Sequence, residues 1–113
     1  MTTLLNFTPH PIHIVDADGL SLATVEPSGL PARVDEEIRD AGGLLLGETS
    51  VPLFAVASRG ATSGLPDPAD GTRIVVSRMV FDANPERTDL LAPYVLARDA
   101  HGAVIGCSAF LCR

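Results

Sequence analysis

The chain has 113 residues, of which 46% are apolar, 19% charged and 4% aromatic, and a formal net charge of −6. That composition excludes intrinsic disorder, which needs low hydrophobicity with high net charge, and predicts one domain, residues 1–113, near the commonest domain size. No apolar run approaches the roughly 18 residues of a membrane span.

The first eleven residues, MTTLLNFTPHP, lack the basic and long apolar regions of a signal peptide. A cytoplasmic protein with no membrane partner is therefore expected. Charge is unevenly placed: residues 1–48 carry eight acids and two arginines, the remainder six of each, so the whole net charge of −6 lies in the first part. An acidic chain without a basic stripe is a poor binder of nucleic-acid backbones. A local arginine pair can still hold a single anionic ligand. The two cysteines, Cys107 and Cys112, are five apart and would face opposite ways on a strand, which fits free thiols better than a disulfide scaffold.

In chain order, Ile12–Val15 is a β-branched run ending at the turn residues Asp16, Asp18 and Gly19, and Leu20–Val25 follows, so residues 12–25 read as a hairpin. Leu30–Val34 is a further strand candidate, confined to an edge by Pro31. Asp35–Ala41 fits one helical turn, with Asp35 as cap, Glu36 and Glu37 in the first turn and Gly42 as stop; the alternative is a mobile acidic loop. Leu44, Leu45 and Leu46 form an apolar patch. Val51–Ala57 reads as a strand, again at an edge because of Pro52, and Ser58–Gly64 as a loop.

Residues 65–71, with Pro66, Pro68 and Gly71, form a stiff turn that feeds Thr72–Val76, the best buried-strand signal in the chain. Ser77 is placed to cap a short helix, since Met79, Val80 and Ala83 continue from Val76 at helical spacing, and Asn84-Pro85 ends it. The competing reading extends the strand to Phe81. Residues 86–93 read as a loop; Tyr94–Arg98 and Ala103–Leu111 form a hairpin about Asp99–Gly102. The sum is a mainly β fold, a small sandwich or barrel-like arrangement of about seven or eight short strands with one or two short helices. A compact α+β fold is the alternative.

The segments FTPHPI, EPSGLPARV, GLPDPADGTRIVVSRMV, PERTDLLAP and VLARDAHGAVIGCSAF, in this order and spacing, resemble a family of small proteins encoded by phages, prophages and actinobacterial genomes. The resemblance covers most of the chain and is weakest over residues 35–50. It implies a mobile-element or host–phage setting rather than a reaction; by analogy, small phage proteins of this sort include inhibitors of bacterial defence, some of which sequester nucleotide signals.

Candidate binding residues are Ser77, Arg78, Arg87, Asp89 and His10. Arginine grips phosphate or carboxylate with two prongs, and Arg78 after a Ser77 cap would add free backbone N–H groups to an anion site. The competing reading makes Arg87 and Asp89 an internal pair that fastens the 84–90 loop. His10 and His13, three apart on an extended segment, point to opposite faces, and no third ligand is evident, so no metal and no cofactor are expected. Ser77, His10 and Asp89 lack the surroundings of a nucleophile, there being no G-x-S-x-G turn. These readings lead to a non-catalytic binding protein, a homo-oligomer, that sequesters a small anionic, nucleotide-like ligand or inhibits a host protein. The alternatives are a structural or interaction protein and a small enzyme.

Overall fold

The computed structural model describes residues 2–113, with Arg59 through its backbone alone. The elements in chain order are β1 (Thr3–Asn6), β2 (Ile12–Val15), β3 (Ser21–Val25), β4 (Arg33–Leu46), β5 (Thr49–Ser63), β6 (Thr72–Val75), α1 (Arg78–Ala83), β7 (Leu90–Arg98) and β8 (Val104–Leu111). The protein is mainly β with one short helix. Six strands form a mixed sheet in the order β1-β6-β7-β8-β2-β3, and β4 and β5 form a separate two-stranded ribbon.

The six-stranded sheet curls until its edges meet. Asn6, the last residue of β1, forms a parallel bridge to Pro27 just after β3. It also accepts the Ser28 N–H at 2.8 Å. The result is a small barrel-like ring, and that form removes most of the unpaired edge an open sheet would leave.

The core lies between this sheet and α1, where Ile74, Val76, Val80, Phe81, Leu90, Ala92 and Ala32 cluster and Phe7, Val34, Leu65 and Leu111 pack against them. β6 lies between β1 and β7, and its Ile74 and Val75, with Val76 directly after it, form a β-branched run that is wholly buried. α1 begins where Ser77, in an extended conformation, accepts the Val80 N–H, and it ends at Asn84. The strand-then-helix reading of this stretch holds, because the cap hydroxyl gives an otherwise unpaired helical N–H an acceptor, an effect of about 1 kcal/mol. Arg113 secures the other end: its guanidinium donates to the Phe81 carbonyl at 2.7 Å and lies 4.0 Å over the Phe81 ring.

Several expectations are corrected. Asp35–Ala41 is neither a helical turn nor a loop but part of β4, since the ladder with β5 satisfies a long run of backbone groups that a single turn would leave unpaired. Ser58–Ser63 belongs to β5 rather than a loop, so these two strands are long, not short. β7 begins at Leu90, ahead of Pro93, and pairs with β6. β1 carries no local strand signal; it is held by parallel pairing with β6, with Thr3 beside Thr72 and Asn6 beside Val75. Gly42, expected as a helix stop, instead sits at a bulge with φ of 92°, and its N–H donates to Asp40 Oδ1 at 2.8 Å.

The ribbon dominates the shape. The molecule measures 58 × 38 × 23 Å with a radius of gyration of 17.5 Å, against about 13 Å for a compact domain of this length. Its foot is tied to the body by Asn84 Nδ2, which donates to Thr62 Oγ1 at 2.8 Å, and by the Ala32 N–H, which donates to the Phe7 carbonyl at 3.0 Å. Beyond the foot its described side chains are exposed.

Candidate functional site

The segment between β1 and β2 is fixed by one buried amide. Asn6 Nδ2 donates to the carbonyls of His10 at 2.8 Å and Val25 at 2.9 Å, while its Oδ1 accepts the Thr8 N–H at 2.9 Å and the Thr8 hydroxyl at 2.7 Å. All four hydrogen-bonding positions of the side chain are filled. Residues 7–10 are thereby bent rather than extended, with the Thr8 hydroxyl shared between Asn6 Oδ1 and the His10 carbonyl, 2.9 Å away.

That bend delivers His10 and Pro11 to the wall of a cavity of about 620 Å³, where β2, β7 and β8 meet. Ile12 and His13 line it from β2, Pro93 and Leu96 from β7, and Val104 to Cys107 from β8. The volume lies within the range of small-molecule sites, and the walls are apolar with two imidazoles as their main polar features. His13 Nδ1 lies 3.1 Å from Thr24 Oγ1, which orients the ring and leaves Nε2 for other contacts. Val95, beside Leu96, has φ of 51°, an unfavourable conformation for a β-branched residue. The two histidines therefore share a cavity, contrary to the opposite-face expectation, because Pro9–Pro11 is not a strand and the alternation rule begins only at Ile12.

Gly106 sets how closely β8 approaches β2. A Cβ there would stand 2.6 Å from the His13 carbonyl oxygen, a contact that only glycine avoids without moving the backbone. The buried thiol of Cys107 is pushed above its ordinary value, chiefly by desolvation. It is a neutral wall residue rather than a nucleophile.

The other sequence-predicted residues lie elsewhere. Arg87 Nε and one terminal nitrogen donate to the two Asp89 oxygens at 2.9 and 2.8 Å, and the same nitrogen donates to the Pro66 carbonyl at 2.8 Å. The side chains are only 16% and 12% exposed. Their hydrogen bonding holds the Asp89 carboxyl below the usual range and raises the Arg87 guanidinium. The geometry is that of an internal fastener between the 84–90 loop and the 65–71 turn. Arg78 pairs with Asp82 one helical turn on, at 3.0 Å and well exposed. Ser77 caps α1 and also lines a second hollow of about 360 Å³ at the foot of the ribbon, with Phe7, Pro31, Ala32, Val34 and Met79. Of the five candidates, His10 alone lines the larger cavity, and neither Arg78 nor Arg87 lines either hollow. Among the described residues no three His, Cys, Asp or Glu side chains gather as a metal site would require, and no helix is long and apolar enough to cross a membrane.

Sequence reasoning missed His13, Leu96 and Ile105 as cavity residues because, although the β7–β8 hairpin sets Leu96 opposite Cys107, only the parallel pairing of Ile14 with Cys107 brings β2 from the far end of the chain beside them. No local pattern signals such a pairing. Comparison with known proteins returns no matching family, no matching curated protein and no matching solved structure.

Proposed function

We propose that this chain is a non-catalytic binding protein of the phage or prophage type, an anti-defence factor that sequesters a small nucleotide-like ligand in the host cytoplasm and works as a homo-oligomer. The observation that carries the reading is the cavity of about 620 Å³ with apolar walls and the rings of His10 and His13 beside them. A planar base suits the surface of Ile12, Leu96 and Ile105, and imidazole N–H groups suit the anionic end of such a ligand. The placement of Ser77, His10 and Asp89 in three separate settings supports the non-catalytic part. The sequence resemblance supports the phage setting.

The test is isothermal calorimetry, preceded by a thermal-shift screen over mononucleotides and cyclic dinucleotides. The expected result is stabilisation by at least one compound, with affinity reduced tenfold or more in His10→Ala or His13→Ala and unchanged in Arg78→Ala. Absence of stabilisation across the panel, or binding indifferent to both histidines, refutes the reading. A second reading, an interaction protein, is favoured by one specific feature, the projecting apolar ribbon, and a pull-down that retrieves one host protein through that ribbon would move the assignment there.

A further inference from the structure

The cavity where β2, β7 and β8 meet has two imidazoles on its wall, and imidazole is a switchable rather than a fixed charge near neutral pH. The chain as a whole carries −6, so an anionic ligand gains from a permanent cation close by. Off the β4–β5 ribbon the arginines are Arg73, Arg78, Arg87, Arg98 and Arg113. Four of them are committed within the body: Arg87 to Asp89 and the Pro66 carbonyl, Arg78 to Asp82, Arg113 to the Phe81 carbonyl and Arg73 to the Asp89 carbonyl. Arg98 differs. It is exposed at the end of β7, and among the described residues its guanidinium donates only to the Gly102 carbonyl, at 2.8 Å. Most of its N–H donors are therefore available to another acceptor.

Strand register brings that group to the cavity. Arg98 stands opposite Val104, a wall residue, and residues opposite one another in an antiparallel pair share a face of the sheet. Leu96, two positions earlier on β7, is on the wall as well. On the other side of β8, Ile14 pairs in parallel with Cys107, and a Cβ on Gly106 would meet the His13 carbonyl. Parallel strands keep step, so the Pro11 end of β2 lies toward Val104. His10 is thereby carried to the same end of the cavity as Arg98, with the β2 and β7 backbones roughly 10 Å apart across β8. We propose that Arg98 completes the anion-binding end of this cavity and that the ligand is a nucleoside monophosphate. Its base lies on Leu96 and Ile105, and its phosphate takes the Arg98 guanidinium in a charge-assisted pair. Arg98 gives up the Gly102 carbonyl for this at little cost, because that carbonyl belongs to an exposed turn where water replaces the lost donor. The inference rests on the nucleotide-binding reading above and adds to it a residue and a ligand class.

Calorimetry with the common nucleoside 5′-monophosphates and their parent nucleosides tests it on the wild type, Arg98→Gln and Arg98→Lys. At least one monophosphate is expected to bind the wild type tenfold or more tightly than its nucleoside. Arg98→Gln, at an unchanged urea midpoint, is expected to weaken that monophosphate at least tenfold and the nucleoside by less than twofold. Arg98→Lys is expected to recover part of the loss. A hairpin merely loosened at Gly102 would weaken nucleoside and monophosphate alike, so the difference between them isolates the charge. The wild-type preference for the monophosphate should also shrink at high salt, and the little that Arg98→Gln retains should not. A monophosphate bound as tightly by Arg98→Gln as by the wild type, while His10→Ala still weakens it, overturns the Arg98 assignment and leaves the binding reading standing. So does a panel in which no monophosphate binds but a cyclic dinucleotide does. Absence of binding by every compound overturns both.

Discussion

Asn6 Nδ2 donates to the Val25 carbonyl at 2.9 Å, and this bond joins the end of β1 to the end of β3, the two edges of the six-stranded sheet. The amide is fully buried, and its other donor and its acceptor hold the His10 carbonyl and Thr8. Asn6→Ala strands buried polar groups on three residues, each worth about 1–3 kcal/mol when left unmade. We expect a loss of about 3 kcal/mol, read as a lower urea midpoint at unchanged slope. Asn6→Asp, which replaces the two N–H donors to the His10 and Val25 carbonyls with an oxygen that accepts, should do no better.

The Arg87–Asp89 pair makes stability pH-dependent with a definite sign. The folded carboxyl lies below its ordinary 3.8, first because of the Arg87 hydrogen bonds. Between the two values the unfolded chain binds more protons, so the contribution is complete above 3.8 and is lost as pH falls through the folded value. Acid titration of stability should show this loss in the wild type and a flatter profile in Asp89→Asn. Breaking so enclosed a pair with Arg87→Ala should cost about 2 kcal/mol, allowing for its residual solvent contact, whereas Arg78→Ala should change stability by under about 0.5 kcal/mol because that pair is exposed.

Gly106→Ala should separate β8 from β2, since the new methyl would meet the His13 carbonyl oxygen at 2.6 Å. A cost of about 2 kcal/mol follows from comparable overpacking. Because His13 and Gly106 share the cavity wall, ligand affinity should fall with stability. A variant as stable as wild type would show that the strands do not approach so closely.

The two thiols should react at very different rates. Cys112 is exposed and Cys107 buried, and desolvation keeps Cys107 protonated further into the alkaline range. A chromogenic disulfide at pH 8 should titrate one thiol per chain quickly and the second only on unfolding. The fast phase should vanish in Cys112→Ser.

Local chemistry was enough to read several parts of this protein from its sequence. Ile74–Val76 as a buried strand, Ser77 as a cap, Asn84 as the helix end and the hairpin about Asp99–Gly102 all depend on residues within a few positions of one another, where backbone preference and hydrogen-bond reach act directly. The mainly β class followed from the number of such strands. Asp35–Ala41 was misread for the same reason: its acidic, capped pattern favours a helical turn locally, and only the ladder to β5 outweighs that preference. Arg87 and Asp89 were legible as a pair because they lie two positions apart, but their third partner, the Pro66 carbonyl, was not. Tertiary structure alone decided that β1 pairs with β6, that Asn6 closes the sheet onto Val25, and that His10 and His13 share a cavity with Leu96 and Ile105. Each of these contacts joins segments remote in sequence, and its free energy arises from satisfying buried polar groups or covering apolar surface that no short stretch of chain can assemble by itself.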